Sequence, residues 1–311
     1  MKAVRIGTWR IWLPDGDARR EAPPSAGEAE WLALAERVAT TDPWHQSKHA
    51  LTYRAFVDGR DVYLKRYHRY RWRTALKDLW RPSKARHVER VSGELAAAGF
   101  RVPGVLATAE KRRGPMLVDA WVATAALDGT PIATRCAELA RRRATAAPDE
   151  ARTLLGEKRR MLAALGTAVA DLHRRGFVAG DLVPANVWLT GAPDAIAFLD
   201  HDRTRAGRAP APWRRARRNL VQLNRLVLTG VVATDRARVY RAYAAGRGWS
   251  RGEARRRLPW IVAKTIARRR QFDGVADAAA LGFRRLMRAP AATADPPREA
   301  PARSARQRGR R

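Results

Sequence analysis

Asp181, Asn186 and Asp200 carry oxygen groups at a spacing suited to handling a phosphorylated nucleotide. They lie in Leu172-His173-Arg174-Arg175-Gly176-Phe177-Val178-Ala179-Gly180-Asp181 with its continuation to Asn186, and in Phe198-Leu199-Asp200-His201-Asp202-Arg203. Phosphoryl transfer needs a carboxylate beside the acceptor hydroxyl, to orient it and take its proton, and a divalent cation to neutralise the phosphates. Asp181 suits the first role. Mg²⁺ is hard and prefers oxygen, so the Asn186 amide and the Asp200 carboxylate suit the second. Taken singly, each residue reads as readily as a turn former or an end-of-strand carboxylate. The three together at this spacing favour the chemistry.

Other elements must position these groups. The helix Leu154 to Arg175 carries Leu155, Leu162, Leu165, Val169 and Leu172 at spacings of seven, three, four and three, a core-facing stripe that ends at Gly176. It anchors the loop bearing Asp181, and an apolar strand then delivers Asp200. Upstream, Ser47 to Phe56 and Asp61 to Tyr67 read as two strands joined at Asp58-Gly59, a hairpin signal. Alternation along the second strand puts Tyr63 and Lys65 on one face. A lysine buried there must find an anion; on an edge strand it would instead reach solvent. Ala85 to Ala98 reads as a helix closed by Gly99. It carries Glu89 and Glu94, which differ by about 140° around the axis, so only one can face Lys65.

Around this frame lie a strand-like piece from Val4 to Trp12, a polar linker ending at Gly27 and a short amphipathic helix from Glu28 to Ala39. Met116 to Thr124 reads as a strand. Residues 132 to 153 read as a charged helix, and Asp235 to Ala245 and Gly252 to Arg269 as later helices. The Ala-, Pro- and Arg-rich end, 289–311, has no apolar periodicity and reads as a disordered tail.

The 311 residues suffice for one large domain or two lobes, and 11 Trp residues supply large apolar units. Cys136 is the only cysteine, so no intramolecular disulfide forms and a reducing compartment is compatible. No run reaches the ~18 apolar residues of a membrane span, and residues 1 to 15 have no signal-peptide core. A cytoplasmic protein is expected. Lys plus Arg total 62 against 30 Asp plus Glu, a formal net charge of +32. Such a surface attracts polyanions, whether nucleic acid, anionic lipid or a phosphorylated glycolipid; a genome-wide bias toward Arg is the bland alternative. Between Arg66 and Arg90, Tyr67, Tyr70, Trp72 and Trp80 interleave with basic residues, as suits a nucleic-acid groove, a membrane-facing helix or a solvated cationic face.

The order of motifs resembles the bacterial lipopolysaccharide inner-core kinases, the Kdo and heptose kinases, over roughly residues 45 to 245. The resemblance is carried by Tyr63-Leu64-Lys65-Arg66-Tyr67 and the basic stretch after it, and by Glu89 ahead of Leu95-Ala96-Ala97-Ala98-Gly99-Phe100-Arg101-Val102-Pro103. It continues through Leu172-His173-Arg174-Arg175-Gly176, Gly180-Asp181-Leu182 with Asn186, Phe198-Leu199-Asp200-His201-Asp202-Arg203, and Asn219-Leu220 with Leu223-Asn224-Arg225-Leu226. It implies an α+β, two-lobed protein-kinase-like fold, with a small antiparallel sheet plus helix in the N-lobe and a mainly helical C-lobe. The corresponding division is 1–44 as an extension with a short helix, 45–126 as N-lobe, 127–288 as C-lobe and 289–311 as tail.

It further implies ATP and Mg²⁺ as the donor system and a Kdo or heptose hydroxyl of a lipopolysaccharide core glycolipid as acceptor, met on the cytoplasmic face of the anionic inner membrane. Carried over by position, Lys65 would hold the ATP phosphates, Glu89 would pair with it, Asp181 would be the catalytic base, and Asn186 and Asp200 would bind metal. Ala179 stands where the family usually has a histidine that braces the loop, which leaves Asp181 less well held. The turn at Gln46-Ser47-Lys48-His49 has no glycine. Competing readings are a small-molecule or aminoglycoside-type phosphotransferase, a non-catalytic kinase-like scaffold and a basic nucleic-acid-binding module. Nucleic acid is disfavoured as a partner, because a pure binder has no need of Asp181, Asn186 and Asp200 together.

Overall fold

A computed structural model describes residues 3–13, 27–47, 50–57, 59–67, 82–192, 194–207 and 209–272. The 289–311 tail, Lys48-His49 and most of the basic aromatic stretch after Tyr67 lie outside the described residues.

The first lobe is a seven-stranded antiparallel sheet. Its strands are β1 (Ala3–Ile6), β2 (Trp9–Trp12), β3 (His45–Gln46), β4 (Ala50–Val57), β5 (Arg60–Tyr67), β6 (Val105–Arg113) and β7 (Met116–Ala125), in the order β1-β2-β6-β7-β5-β4-β3. Two helices pack against it, α1 (Glu28–Val38) and α2 (Lys84–Ala97). The expected hairpin forms, with Val57 opposite Arg60. Residues expected as an N-terminal extension instead belong to this sheet, because β2 pairs with β6 and Trp31, Leu34 and Val38 of α1 share a core with Tyr53, Val62 and Leu64. The sheet is correspondingly larger than the sequence alone implies.

Alternation along β5 separates the two faces. Val62 and Leu64 are buried in the α1 core, whereas Tyr63, Lys65 and Tyr67 line the opposite face. β5 lies between β7 and β4, so Lys65 is on an interior strand and has no sheet edge from which to reach solvent.

The second lobe is mainly helical, with α3 (Ile132–Thr145), α4 (Pro148–Arg174), α5 (Trp213–Arg225), α6 (Ala233–Gly246) and α7 (Arg251–Phe272), plus a small sheet of β8 (Thr130–Pro131), β9 (Val187–Leu189) and β10 (Ile196–Phe198). The sequence reading divides α3 from α4 at residue 153; the structure divides them at Pro148, the first residue of α4. Proline lacks an N–H, which costs nothing in a first turn, and it drives the residue before it out of helical geometry. Met161, Leu162, Leu165, Val169 and Leu172 of α4 are buried in the main core. Each such side chain contributes roughly 1.5–3 kcal/mol. Gly176 follows with φ of 90°, a left-handed close that releases the chain into the loop bearing Asp181.

Candidate active site

Between the lobes lies a cleft of about 860 Å³ lined by Lys65, Asp181, Asn186, Asp200 and Asp202, among others. The first lobe supplies Lys65 from β5, and the second supplies the acids and the amide from the loops around β9 and β10.

The loop carrying Asp181 is held through its backbone. Asn219 of α5 is fully buried; its Nδ2 donates to Ala179 O at 2.7 Å, and its Oδ1 accepts from Ala179 N at 3.0 Å. Gln222, one turn on, donates from Nε2 to Gly180 O at 3.0 Å and to Asp181 Oδ1 at 3.4 Å. Its Oε1 accepts from Leu182 N at 3.3 Å and from Asn219 Nδ2 at 2.7 Å. Two amides on one helical face thus brace four consecutive residues without using the side chain at 179. Gly180 leaves no room for a substitute, since a Cβ there would fall 2.2 Å from Arg203 Cβ and 2.6 Å from Arg203 C.

Behind Asn219 stands His173, with no solvent exposure. Its Nε2 lies 3.0 Å from Asn219 Oδ1, an acceptor, so the proton sits on Nε2. Nδ1 then accepts from the Tyr243 hydroxyl at 2.9 Å. Burial pushes the imidazole down to about 4 from its ordinary 6.5 and the Tyr243 phenol up to about 12, so both stay neutral. The unfolded chain takes up a proton near pH 6.5 and the folded chain only near 4, so protons favour unfolding within that window. We expect up to about 3 kcal/mol of stability to be lost from this one site as pH falls through it. Urea unfolding between pH 7 and 4.5 tests this, and His173→Gln should flatten the slope by about one proton.

Asn186 closes a single 3₁₀ turn, Pro184–Asn186, and donates from Nδ2 to Asp181 O at 3.0 Å. That donation fixes the amide and leaves its Oδ1 as the oxygen available to the cleft. Leu199 N donates to Asn186 O at 2.9 Å, tying the turn to the segment that bears Asp200. Asp200 has φ of 60°, a left-handed conformation that aspartate tolerates better than most residues, and a turn at Asp202-Arg203 follows.

Lys65 meets the acids from the other side. Its Nζ is 3.0 Å from Asp200 Oδ1 and 2.8 Å from Asp202 Oδ2. Burial works against the ammonium, but the two carboxylates outweigh it and the pKa is raised. Burial also works against the Asp200 charge; Lys65 outweighs that and holds this carboxyl below its usual range. The Tyr67 hydroxyl donates to Asp202 Oδ1 at 2.6 Å, so Asp202 is gripped by two side chains of β5. Among the described residues no cation forms an ion pair with Asp181; Arg225 and Arg203 act on it only at longer range. Burial, then the Asp200 charge, raises its pKa against weaker opposition from Arg225 and Arg203.

The structure does not bring Glu89 to Lys65. Glu89 pairs with Arg86 and accepts from Thr108 Oγ1 at 2.9 Å, and Glu94 pairs with Arg90. The face of α2 turned to the cleft shows Lys84, Val88 and Ser92, none of them acidic. Glu89 follows Val88 and so points about 100° away around the axis. The counter-ions of Lys65 come instead from the second lobe.

Sequence reasoning did not assign Asp202, Tyr67, His173, Asn219 or Gln222 a role. A second acid two residues after Asp200 was a usable sign for Asp202. For Asn219 the sign was an amide within the apolar stripe Ala216, Leu220 and Leu223.

Among the described residues no group of three or more His, Cys, Asp or Glu is arranged to hold a metal ion. The Asn186 oxygen and the Asp200 carboxylate nevertheless fit Mg²⁺, which usually takes one or two protein oxygens and completes its shell with water and substrate phosphate.

A sheet-plus-helix lobe over a helical lobe, with a strand lysine facing a loop aspartate, an asparagine and a strand-end aspartate, is the arrangement of a kinase-fold phosphotransferase. The chain matches the family model for the lipopolysaccharide kinase (Kdo/WaaP) family over residues 38–243, and it belongs to that family. It is therefore a phosphotransferase acting on an alcohol group, a lipopolysaccharide kinase. A solved structure of the same fold is WaaP in complex with acyl carrier protein, with a TM-score of 0.57 at 20% identity, covering 82% of this chain and 98% of that one. No curated protein matches the sequence. Among the described residues no helix is long and apolar enough to cross a membrane.

Proposed function

We propose that this kinase transfers the γ-phosphate of ATP to a hydroxyl of a Kdo or heptose residue in the lipopolysaccharide inner core. The observation that carries the reading is the meeting of Lys65, Asp181, Asn186 and Asp200 on one cleft, from segments more than a hundred residues apart in the chain. Asp181 orients the acceptor hydroxyl and takes its proton. Its raised pKa strengthens it as a base, and Gln222 and Asn186 fix its position. Lys65 holds the nucleotide phosphates. Asn186 and Asp200 would hold Mg²⁺, which when bound supplies charge neutralisation for the triphosphate. The net charge of +32 supports work at an anionic membrane surface, where the lipid-linked acceptor resides. The test is incubation with ATP, Mg²⁺ and a panel of Kdo- and heptose-bearing glycolipids, read by mass spectrometry for one added phosphate. Phosphate appearing only on soluble aminoglycosides would sink the proposal.

In this reading Asp202, rather than Glu89, keeps Lys65 in place. We expect Asp202→Asn to raise the KM for ATP about tenfold, the cost of a charge-assisted hydrogen bond, and Glu89→Gln to change it less than twofold. Steady-state kinetics of the two variants side by side decides between the partners.

A further inference from the structure

Beside the catalytic loop lies a second hollow, of about 840 Å³, whose walls are cationic. Arg203 and Arg205 enter it from the segment after Asp200, Arg215, Arg217 and Arg218 from α5, and Lys264 and Arg268 from α7; none of the described residues that line it is acidic. Arg268 aside, none of these side chains forms an ion pair with a described residue. General arginine richness does not account for this, because arginines elsewhere do find acids: Arg54 with Asp61, Arg66 with Asp119, Arg135 with Glu157 and Arg142 with Glu150. Seven like charges gathered around one hollow repel each other, and an anion held between them removes that cost. Arg217 is already set in place, its guanidinium 3.8 Å from the centre of the Trp260 ring and its Nε buried without a hydrogen-bond partner. Planar guanidinium groups match the paired oxygens of phosphate and carboxylate.

The position of the hollow relates it to the reaction. Its wall includes Ala179 and Gly180, the two residues before Asp181, and Arg203 lines both it and the nucleotide cleft. We propose that it is the acceptor subsite for an anionic substituent, a phosphate or carboxylate carried by the saccharide close to the hydroxyl that Asp181 activates. The enzyme would then select acceptors that are already negatively charged. This rests on the phosphotransfer reading above for its orientation toward Asp181.

The test is calorimetric titration of the full chain, saturated with Mg²⁺ and a non-hydrolysable ATP analogue, with deacylated inner-core oligosaccharide. Four forms are used: native, phosphatase-treated, carboxyl-reduced, and treated both ways. The doubly treated form should bind about tenfold or more weakly than the native one, and the single treatments report whether phosphate or carboxylate is the group held. In Arg215→Gln/Arg218→Gln/Lys264→Gln the native and doubly treated forms should bind alike. These side chains are exposed, and a thermal melt by circular dichroism verifies the fold. Equal binding of all four forms to the wild type, no binding at all, or an undiminished preference in the triple variant overturns the proposal. So does displacement of the oligosaccharide by single-stranded RNA at lower concentration, which assigns the hollow to nucleic acid. If the preference holds but no glycolipid is phosphorylated, the phosphotransfer reading fails and the subsite stands; if transfer occurs without the preference, the subsite alone fails.

Discussion

Asp181→Asn is expected to lower kcat by about 10³-fold, within the range general-base catalysis supplies, with little change in the KM for ATP. The substitution keeps the shape of the side chain and its hydrogen-bonding reach toward Gln222, so the loop held by Asn219 should stay in place. Only the capacity to take a proton goes. The wild-type profile carries a second sign of the same group: burial and the Asp200 charge raise the Asp181 pKa, so the acid limb of kcat/KM should lie above the pH at which an ordinary aspartate titrates. Below that pKa the carboxyl is protonated and cannot act as base, so activity falls as pH falls. A variant keeping wild-type kcat at neutral pH would remove Asp181 from the mechanism.

Asp200→Asn has the second large effect and a different signature. It removes an anionic oxygen from the pair suited to Mg²⁺ and one of the two counter-ions of Lys65. With Mg²⁺ as sole metal we expect transfer to fall at least about 10³-fold, the order of a lost electrostatic stabiliser. Excess Mg²⁺ should restore part of it, which it cannot do for Asp181→Asn. Full activity of this variant at ordinary Mg²⁺ would sink the assignment. Retained protein fluorescence and an unchanged urea midpoint accompany both results if the roles are chemical. The Lys65–Asp200 pair is partly solvated, with side chains 25% and 38% exposed, so breaking it costs little stability.

The local patterns were legible in the sequence. Two-residue alternation along β5 told which face Lys65 shares with Tyr63, and the seven-three-four-three stripe told that α4 is anchored deep enough to hold a loop at its end. The partners across space were not. Asn219 lies 40 residues from Ala179, and Asp202 lies 135 from Tyr67; nothing local to either marks the pairing. Glu89 shows the same limit from the other side. Helical geometry could say that only one of Glu89 and Glu94 faces Lys65, but which way α2 is rolled depends on the packing of Val88, Val91 and Leu95, and the outcome is that neither does. The strands Ala3–Ile6 and Trp9–Trp12 were visible as extended chain, while the pairing of the second of them with β6, about a hundred residues away, was not.

The contacts that join the lobes also have a consequence in time. Lys65 with Asp200, Tyr67 with Asp202 and the His87 imidazole with Thr204 O close loops of 135, 135 and 117 residues. The lobes also share an apolar seam: Val91 and Leu95 of α2 are buried in the main core of the second lobe, and Phe100 packs edge-on against Phe177 and Phe198. The polar links at the cleft are partly solvated, with the Lys65 and Asp200 side chains 25% and 38% exposed, so they hold the lobes together less firmly than that seam does. On warming, the cleft contacts are expected to loosen before the apolar seam, so catalytic competence fades while the lobes are still packed together.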